Sequence, residues 1–193
     1  MLKIVGGKHR GRAIETPQGE KTRPTSSRAR EALFNILAHA NWSGANVPGG
    51  TSPLVEARVL DAFAGSGALG LEALSRGAAH ATFLDSDATA IKLIGENLRK
   101  LGETAAAKVV RADVTRPPPS REACDLVFLD PPYRSGLAAP ALAALAEAGW
   151  LKPGAIATVE LANSEDLITP QRFEAIDERR YGAAKIMILR HIR

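Results

Sequence analysis

The run Val127-Phe128-Leu129 ends in Asp130-Pro131-Pro132-Tyr133: a carboxylate, two residues without a backbone N–H, and an aromatic ring. Proline cannot extend a sheet ladder, so an apolar strand stops here abruptly. These residue types suit a planar exocyclic amine. The Asp130 carboxylate and the Pro131 carbonyl could accept its two N–H bonds, Pro132 would fix the turn, and Tyr133 could stack on the ring. Two acceptors would favour a more tetrahedral nitrogen, its lone pair aimed at an electrophile. Positioning and electrostatics would then supply most of the rate. A strand-terminating turn with a core tyrosine is the lesser alternative reading of these four residues.

A second constellation lies upstream. The loop Asp61–Gly70, "DAFAGSGALG", contains Gly65-x-Gly67-x-x-Gly70 between a strand and a helix, which satisfies a nucleotide-binding fingerprint. By itself the pattern is a weak signal, with a tight structural turn as the lesser alternative. Asp61, Asp85, Asp113 and Asp130 each end an expected strand. Ligands of open α/β sheets bind outside the carboxyl ends of the strands, so the four acids could share one crevice. Asp85 lies at the spacing of a ribose-binding acid, and Asp113 could hold an adenine amino group. Asp61 beside the glycine loop would repel a pyrophosphate but favour a cation. S-adenosylmethionine, with a sulfonium and an ammonium group, suits this acidic set better than NAD. The four histidines, His9, His39, His80 and His191, show no ligand spacing, so no metal is expected. Glu160, near the end of its own strand, is left without a role.

The elements that must position these residues follow from periodicity. From residue 57, short apolar runs alternate with helical patterns: strands at 57–63, 80–85, 107–113, 124–130 and 154–161, helices at 68–77, 87–102 and 137–149. Continuous apolar strands between helices indicate a mostly parallel sheet covered on both faces, an α/β fold. The tail reads as two strands around Gly182, an antiparallel edge. Upstream, residues 1–40 suggest a small hairpin and then a helix whose apolar positions Ala29, Ala32, Leu33, Ile36, Leu37 and Ala40 fall on one side. Residues 41–56, rich in Gly, Pro, Ser and Asn, read as a loop joining this appendage to a main domain over 57–193.

The chain has 193 residues, enough for one domain with a sizeable core. No run approaches the ~20 apolar residues of a membrane span, and the first residues lack a signal-peptide core. Cys124 is the single cysteine, so no intrachain disulfide is possible, and its apolar neighbours suggest a buried thiol. A cytoplasmic location is expected. The net charge of +4 is unevenly placed: residues 1–30 carry +6 and the rest −2. A basic arm on a near-neutral body fits contact with a phosphate backbone, and equally a solvated face.

With these motifs assembled, the chain resembles the class I S-adenosylmethionine-dependent methyltransferases. More narrowly, it is similar to the bacterial family that methylates N2 of a guanine in 16S ribosomal RNA. "RPTSSRAREALFNIL" (23–37), "VLDAFAGSGALGLEALSRGA" (59–78) and "FLDPPY" (128–133) carry the resemblance, supported by "VEL" (159–161) and "YG" (181–182). Two positions depart from it: Ser27 stands where an acid is common, and Asp85 where Glu is frequent. The resemblance implies a Rossmann-like methyltransferase sheet with S-adenosylmethionine lined by Asp61, Ala64, Gly65, Ser66, Gly67, Asp85 and Asp113. It implies that Asp130, Pro131, Pro132 and Tyr133 present the base. Arg10, Arg12, Arg23, Thr25, Arg28 and Arg30 become candidates for RNA contact. The implied partner is 16S rRNA within the small subunit or an assembly intermediate, met by a monomer. The target guanine would have to be unpaired or flipped out. Rival readings are amino methylation of another acceptor such as DNA adenine N6, an NAD-dependent oxidoreductase, and a non-catalytic RNA-binding assembly protein.

Overall fold

A computed structural model of the chain describes residues 2–17, 27–39 and 52–192. Nine strands and four helices are described: β1 (Leu2–Lys3), β2 (Ala13–Ile14), α1 (Ser27–His39), β3 (Arg58–Ala62), α2 (Ala68–Ser75), β4 (His80–Asp85), α3 (Ala88–Leu101), β5 (Ala107–Arg111), β6 (Cys124–Leu129), α4 (Ala138–Glu147), β7 (Leu151–Ala162), β8 (Phe173–Tyr181) and β9 (Ala184–His191). A seven-stranded sheet runs β5-β4-β3-β6-β7-β9-β8. The five strands β3 to β7 are parallel, and β9 is antiparallel to both of its neighbours. The chain builds outward from β3 to β5, then returns to the other side of β3 as β6. That reversal opens a crevice at the carboxyl ends of β3 and β6, where ligands of such sheets bind. The tail is a hairpin as expected, but its second strand lies inside the sheet and β8 forms the edge.

Side-chain alternation divides the core into two layers. Val59, Phe83, Phe128, Ile156 and Ile188 face one way, onto Leu33, Phe34 and Leu37 of α1, Leu71 and Leu74 of α2, and Ile94 and Leu98 of α3. Leu60, Leu84, Val127, Val159 and Leu189 face the other way, onto Ala141, Leu142 and Leu145 of α4. Phe34, wholly buried, sits 5.4 Å from Phe128 ring to ring. Burying a side chain of that size contributes about 2–3 kcal/mol. The Arg76 guanidinium lies over the Phe34 ring, 5.1 Å from its centroid. Cys124 is buried as expected, and burial pushes its thiol pKa up to about 11. Among the described residues no helix is long and apolar enough to cross a membrane.

The N-terminal segment is joined to the domain by buried polar side chains. Leu2 and Lys3 pair with Ile14 and Ala13, closing the expected hairpin around a single 3-10 turn at Gly7–His9. Ile4 and Ile14 enter the same core layer as Phe83. The wholly buried Glu72 accepts a hydrogen bond from Val5 N (2.8 Å) and from Arg76 Nε (2.7 Å). Ser75 Oγ accepts from His9 N (2.9 Å) and donates to the Gly6 carbonyl (2.5 Å). Gly7 has φ +73°, and a Cβ there would fall 1.8 Å from the Ser75 carbonyl oxygen, so only glycine lets the segment lie this close to α2. On the α3 side, Glu103 receives His9 Nε2 at 2.5 Å and Lys8 Nζ at 2.7 Å. Burial pushes the Glu103 pKa up, but the bonds from Lys8 and His9 outweigh it and leave the carboxyl below its ordinary value. Of the expected 41–56 loop, residues 41–51 lie outside the described residues; 52–56 form a turn that buries Leu54.

Candidate active site

The glycine loop is held by four hydrogen bonds, one internal and three to residues of β4, α3 and β3. Gly65 N donates to Asp85 Oδ2 at the end of β4 (2.8 Å), and Gly67 N to the Ala64 carbonyl (2.7 Å). The Ser66 carbonyl accepts from Asn97 of α3 (3.1 Å), and Gly70 N donates to Asp61 Oδ2 (2.8 Å). The three glycines have distinct uses. Gly65 and Gly67 take positive φ, 53° and 78°, and Gly67 starts α2. Gly70 lies where a Cβ would come within 2.4 Å of the Phe83 ring, so its role is close packing of α2 on β4. At Gly65 a Cβ would meet nothing within 4 Å, which leaves that face of the loop open to the crevice.

The strand-end acids do not all face the crevice. Asp85 and Asp130 are half-buried at the ends of β4 and β6. Asp113 is exposed just beyond β5, where Oδ1 accepts from the Thr115 hydroxyl (2.7 Å) and N–H (2.8 Å). Those two bonds hold its pKa below the ordinary carboxylate value. Asp61 is a correction: it lies inside β3 at 1 % exposure, pointing under the loop at Gly70 N. Burial pushes its pKa well above the usual range, and the charges of Asp130 and Asp85 push the same way against the Gly70 bond. The charges of Asp130 and Asp85 thus reach Asp61, and a set of acids this close makes a locale that favours a cation.

At the other lip, Asp130 N reaches back to the Ala62 carbonyl (3.5 Å), tying the turn to the end of β3. Pro131 is buried, Pro132 exposed and Tyr133 half-buried. The Tyr133 hydroxyl donates to Glu160 Oε1 at 2.7 Å. Glu160 stands on β7 one residue past Val159, which pairs with Leu129, so it is level with Asp130 on the adjacent strand. This is the residue that had no role in the sequence. Its signal was there: a fifth acid near a strand end, buried to 8 % exposure among apolar neighbours. Two non-glycine residues with left-handed backbone flank the site, Phe63 (φ 61°) at the exit of β3 and Arg134 (φ 58°) after Tyr133. Such strain, about 1 kcal/mol or more each, concentrates at binding sites.

The basic candidates divide. Arg10 and Arg12 are exposed, and Arg12 donates to the Lys100 carbonyl at the end of α3 (2.7 Å). Arg23, Thr25 and the side chain of Arg28 lie outside the described residues. Arg30 is corrected: at 1 % exposure it is a core residue, donating to the Lys3 carbonyl and lying 3.7 Å from Glu72. Burial lowers its pKa, with the Glu72 charge opposing. A side chain enclosed this way offers nothing to RNA.

The family model described as Conserved hypothetical protein 95 matches residues 2–190. Ribosomal RNA small subunit methyltransferase D of Haemophilus influenzae is 37% identical over 186 residues, spanning 94% of this chain and 89% of that protein. The protein of the same name from Escherichia coli K12 is 39% identical over 160 residues, 82% of this chain and 74% of its own. A solved Escherichia coli structure, yhhF, described as a candidate methyltransferase, superposes with a TM-score of 0.79 at 34% identity, over 99% of this chain and 98% of that one. The sheet order and the antiparallel β9 are those of a class I methyltransferase. The chain thus belongs to the family of ribosomal RNA small subunit methyltransferase D.

Proposed function

We propose that this chain transfers a methyl group from S-adenosylmethionine to the exocyclic N2 of a guanine in small-subunit ribosomal RNA. The observation that carries the reading is the placement of Asp130–Tyr133 at the lip of an acid-lined glycine loop, with Tyr133 held by Glu160. The residues present fit the cofactor: the open face at Gly65 leaves room, and the carboxyls of Asp85 and Asp130, whose charges reach Asp61, favour a cation. The Gly65–Gly67 loop, Asp85 and Asp113 would hold it. When bound, it supplies an electrophilic methyl on a positively charged sulfur. Asp130 and the Pro131 carbonyl hold the amine by its two hydrogens, turning the nitrogen lone pair toward that methyl, and Asp130 is placed to take the proton the amine sheds. Tyr133 stacks on the base and offsets part of the cost of taking it out of its stack. Exposed Arg10 and Arg12 meet RNA phosphates. The division into an N-terminal RNA-facing part and a methyltransferase domain over 57–193 belongs to the same proposal, as does action of a cytoplasmic monomer on the small subunit or an assembly intermediate.

The decisive assay supplies labelled cofactor with small subunits, protein-free rRNA or DNA, and maps the modified base. Label on guanine N2 of small-subunit rRNA is expected; label on adenine or on DNA would replace this reading with an amino methyltransferase of another acceptor. Tyr133→Phe keeps the ring and loses the bond to Glu160, so single-turnover rates should fall by less than about tenfold. Tyr133→Ala, which removes the stacking surface, should cost about 10- to 100-fold more. Equal rates for the two variants would show that ring contact contributes nothing.

A further inference from the structure

Asn97 lies in the C-terminal half of α3, wholly buried, with every amide hydrogen engaged far along the chain. Its Oδ1 accepts from Glu15 N at 2.8 Å. Its Nδ2 donates to the Glu15 carbonyl at 3.0 Å and to the Ser66 carbonyl at 3.1 Å. One side chain therefore grips the N-terminal segment with two bonds, as a neighbouring strand would, and the glycine loop with a third. Because Gly67 N is bonded to the Ala64 carbonyl, the peptide between Ser66 and Gly67 is fixed at both its C=O and its N–H. Glu15 is tied a second time by its carboxylate, 2.7 Å from Lys100 on the next turn of α3, which holds its pKa below the ordinary value.

We infer that Asn97 is a positioning residue that sets the cofactor loop and couples it to the N-terminal segment, without touching either cofactor or RNA. The inference rests on Gly65–Gly67 being the cofactor loop. A carbonyl bonded into the protein body cannot turn toward the crevice, so the loop keeps one arrangement. The same amide requires the backbone of Glu15 to be in place. Ordering the loop with ligand therefore orders the basic segment, and linkage makes the effect reciprocal: a segment ordered on RNA presents a better-formed loop.

The test uses the full chain and S-adenosylhomocysteine as probe. In the wild type, saturating probe should raise hydrogen-exchange protection in residues 13–17 as well as in the loop. Asn97→Ala and Asn97→Asp should weaken probe binding by about tenfold, with kcat at saturating cofactor within about threefold and the probe-dependent protection of 13–17 lost. Asn97→Asp sets an acceptor against two carbonyls and should be the worse of the two. The inference is overturned if wild-type protection of 13–17 ignores the probe, a result that does not depend on any variant folding. Unchanged probe affinity in a folded Asn97 variant overturns it as well. Failure of the wild type to bind the probe at all would instead remove the cofactor reading itself, and this inference with it.

Discussion

Asp130→Ala is expected to abolish methyl transfer, lowering kcat by about 10³-fold or more, while affinity for S-adenosylhomocysteine stays within about threefold. The split follows from position. Asp130 lies on the acceptor lip, after β6, whereas the loop that would hold cofactor is tied by Asp61, Asp85 and Asn97. Asp130→Asn is the sharper variant, because it keeps shape and one acceptor but cannot take the amine's proton. Its rate should fall nearly as far. Calorimetry with the probe and single-turnover methylation on the same preparations would check both halves. Loss of probe binding in step with activity would place Asp130 in the cofactor site and sink its assignment as the acceptor of the amine.

The second large effect concerns the fold. Glu72→Ala should destabilise the protein by about 3–5 kcal/mol, on the order of 10 °C in Tm. Glu72 is wholly buried, accepts from Val5 N and Arg76, and is the carboxylate facing the buried Arg30. Removing it leaves a guanidinium with its charge uncompensated in an apolar layer, and an orphaned N–H at Val5. Glu72→Gln restores a polar partner without the charge and isolates the electrostatic part. Replacing Arg30 by Met in the Glu72→Gln background should recover much of the loss, since the cost lies in the unpaired charge more than in the missing pair. Thermal unfolding of the wild type, Glu72→Gln, Arg30→Met and the double variant closes the cycle. An unchanged Tm in Glu72→Gln would show that the charge of Glu72 contributes nothing.

Much of the domain was legible because its signals are local. Continuous apolar runs marked the parallel strands. Asp87 and Gly102 bounded α3 as N-cap and left-handed C-cap, and the turn at Gly182 marked the hairpin. What escaped was fixed by partners distant in the chain. Arg30 counted as part of a basic arm, yet it shares a stripe with Phe34 and Leu37, and its partner Glu72 lies 42 residues on. Asp61 reads in sequence as a strand-end acid like its three counterparts, but it lies within β3, and alternation puts it on the face of Val59 and Phe83, beneath α2. Glu160 had no meaning until Tyr133 was seen to reach it. The anchoring of residues 2–17, through Glu72, Ser75, Asn97 and Glu103, is invisible to any window of sequence, because each contact spans more than sixty residues.

The insertion of β9 between β7 and β8 bears on how the protein comes into being. As the chain leaves the ribosome, β7 emerges with one side unpaired, and β8 follows with no neighbour to join, since its pairing is to β9. Until Ala184–His191 has been synthesised, the growing domain displays an open sheet edge at Val159 and Leu161 and a homeless strand. Eight residues then fill the gap from both sides at once, pairing Ile188 with Thr158 on one flank and with Asp177 on the other. Completion of the sheet is thereby deferred until β9 has been made, leaving an intermediate that exposes strand edges for other chains to join. A nonsense change before Ala184 would do more than trim a border. It would remove an inner strand, detach the edge beyond it, and uncover the β7 strand that carries Glu160 to the active site.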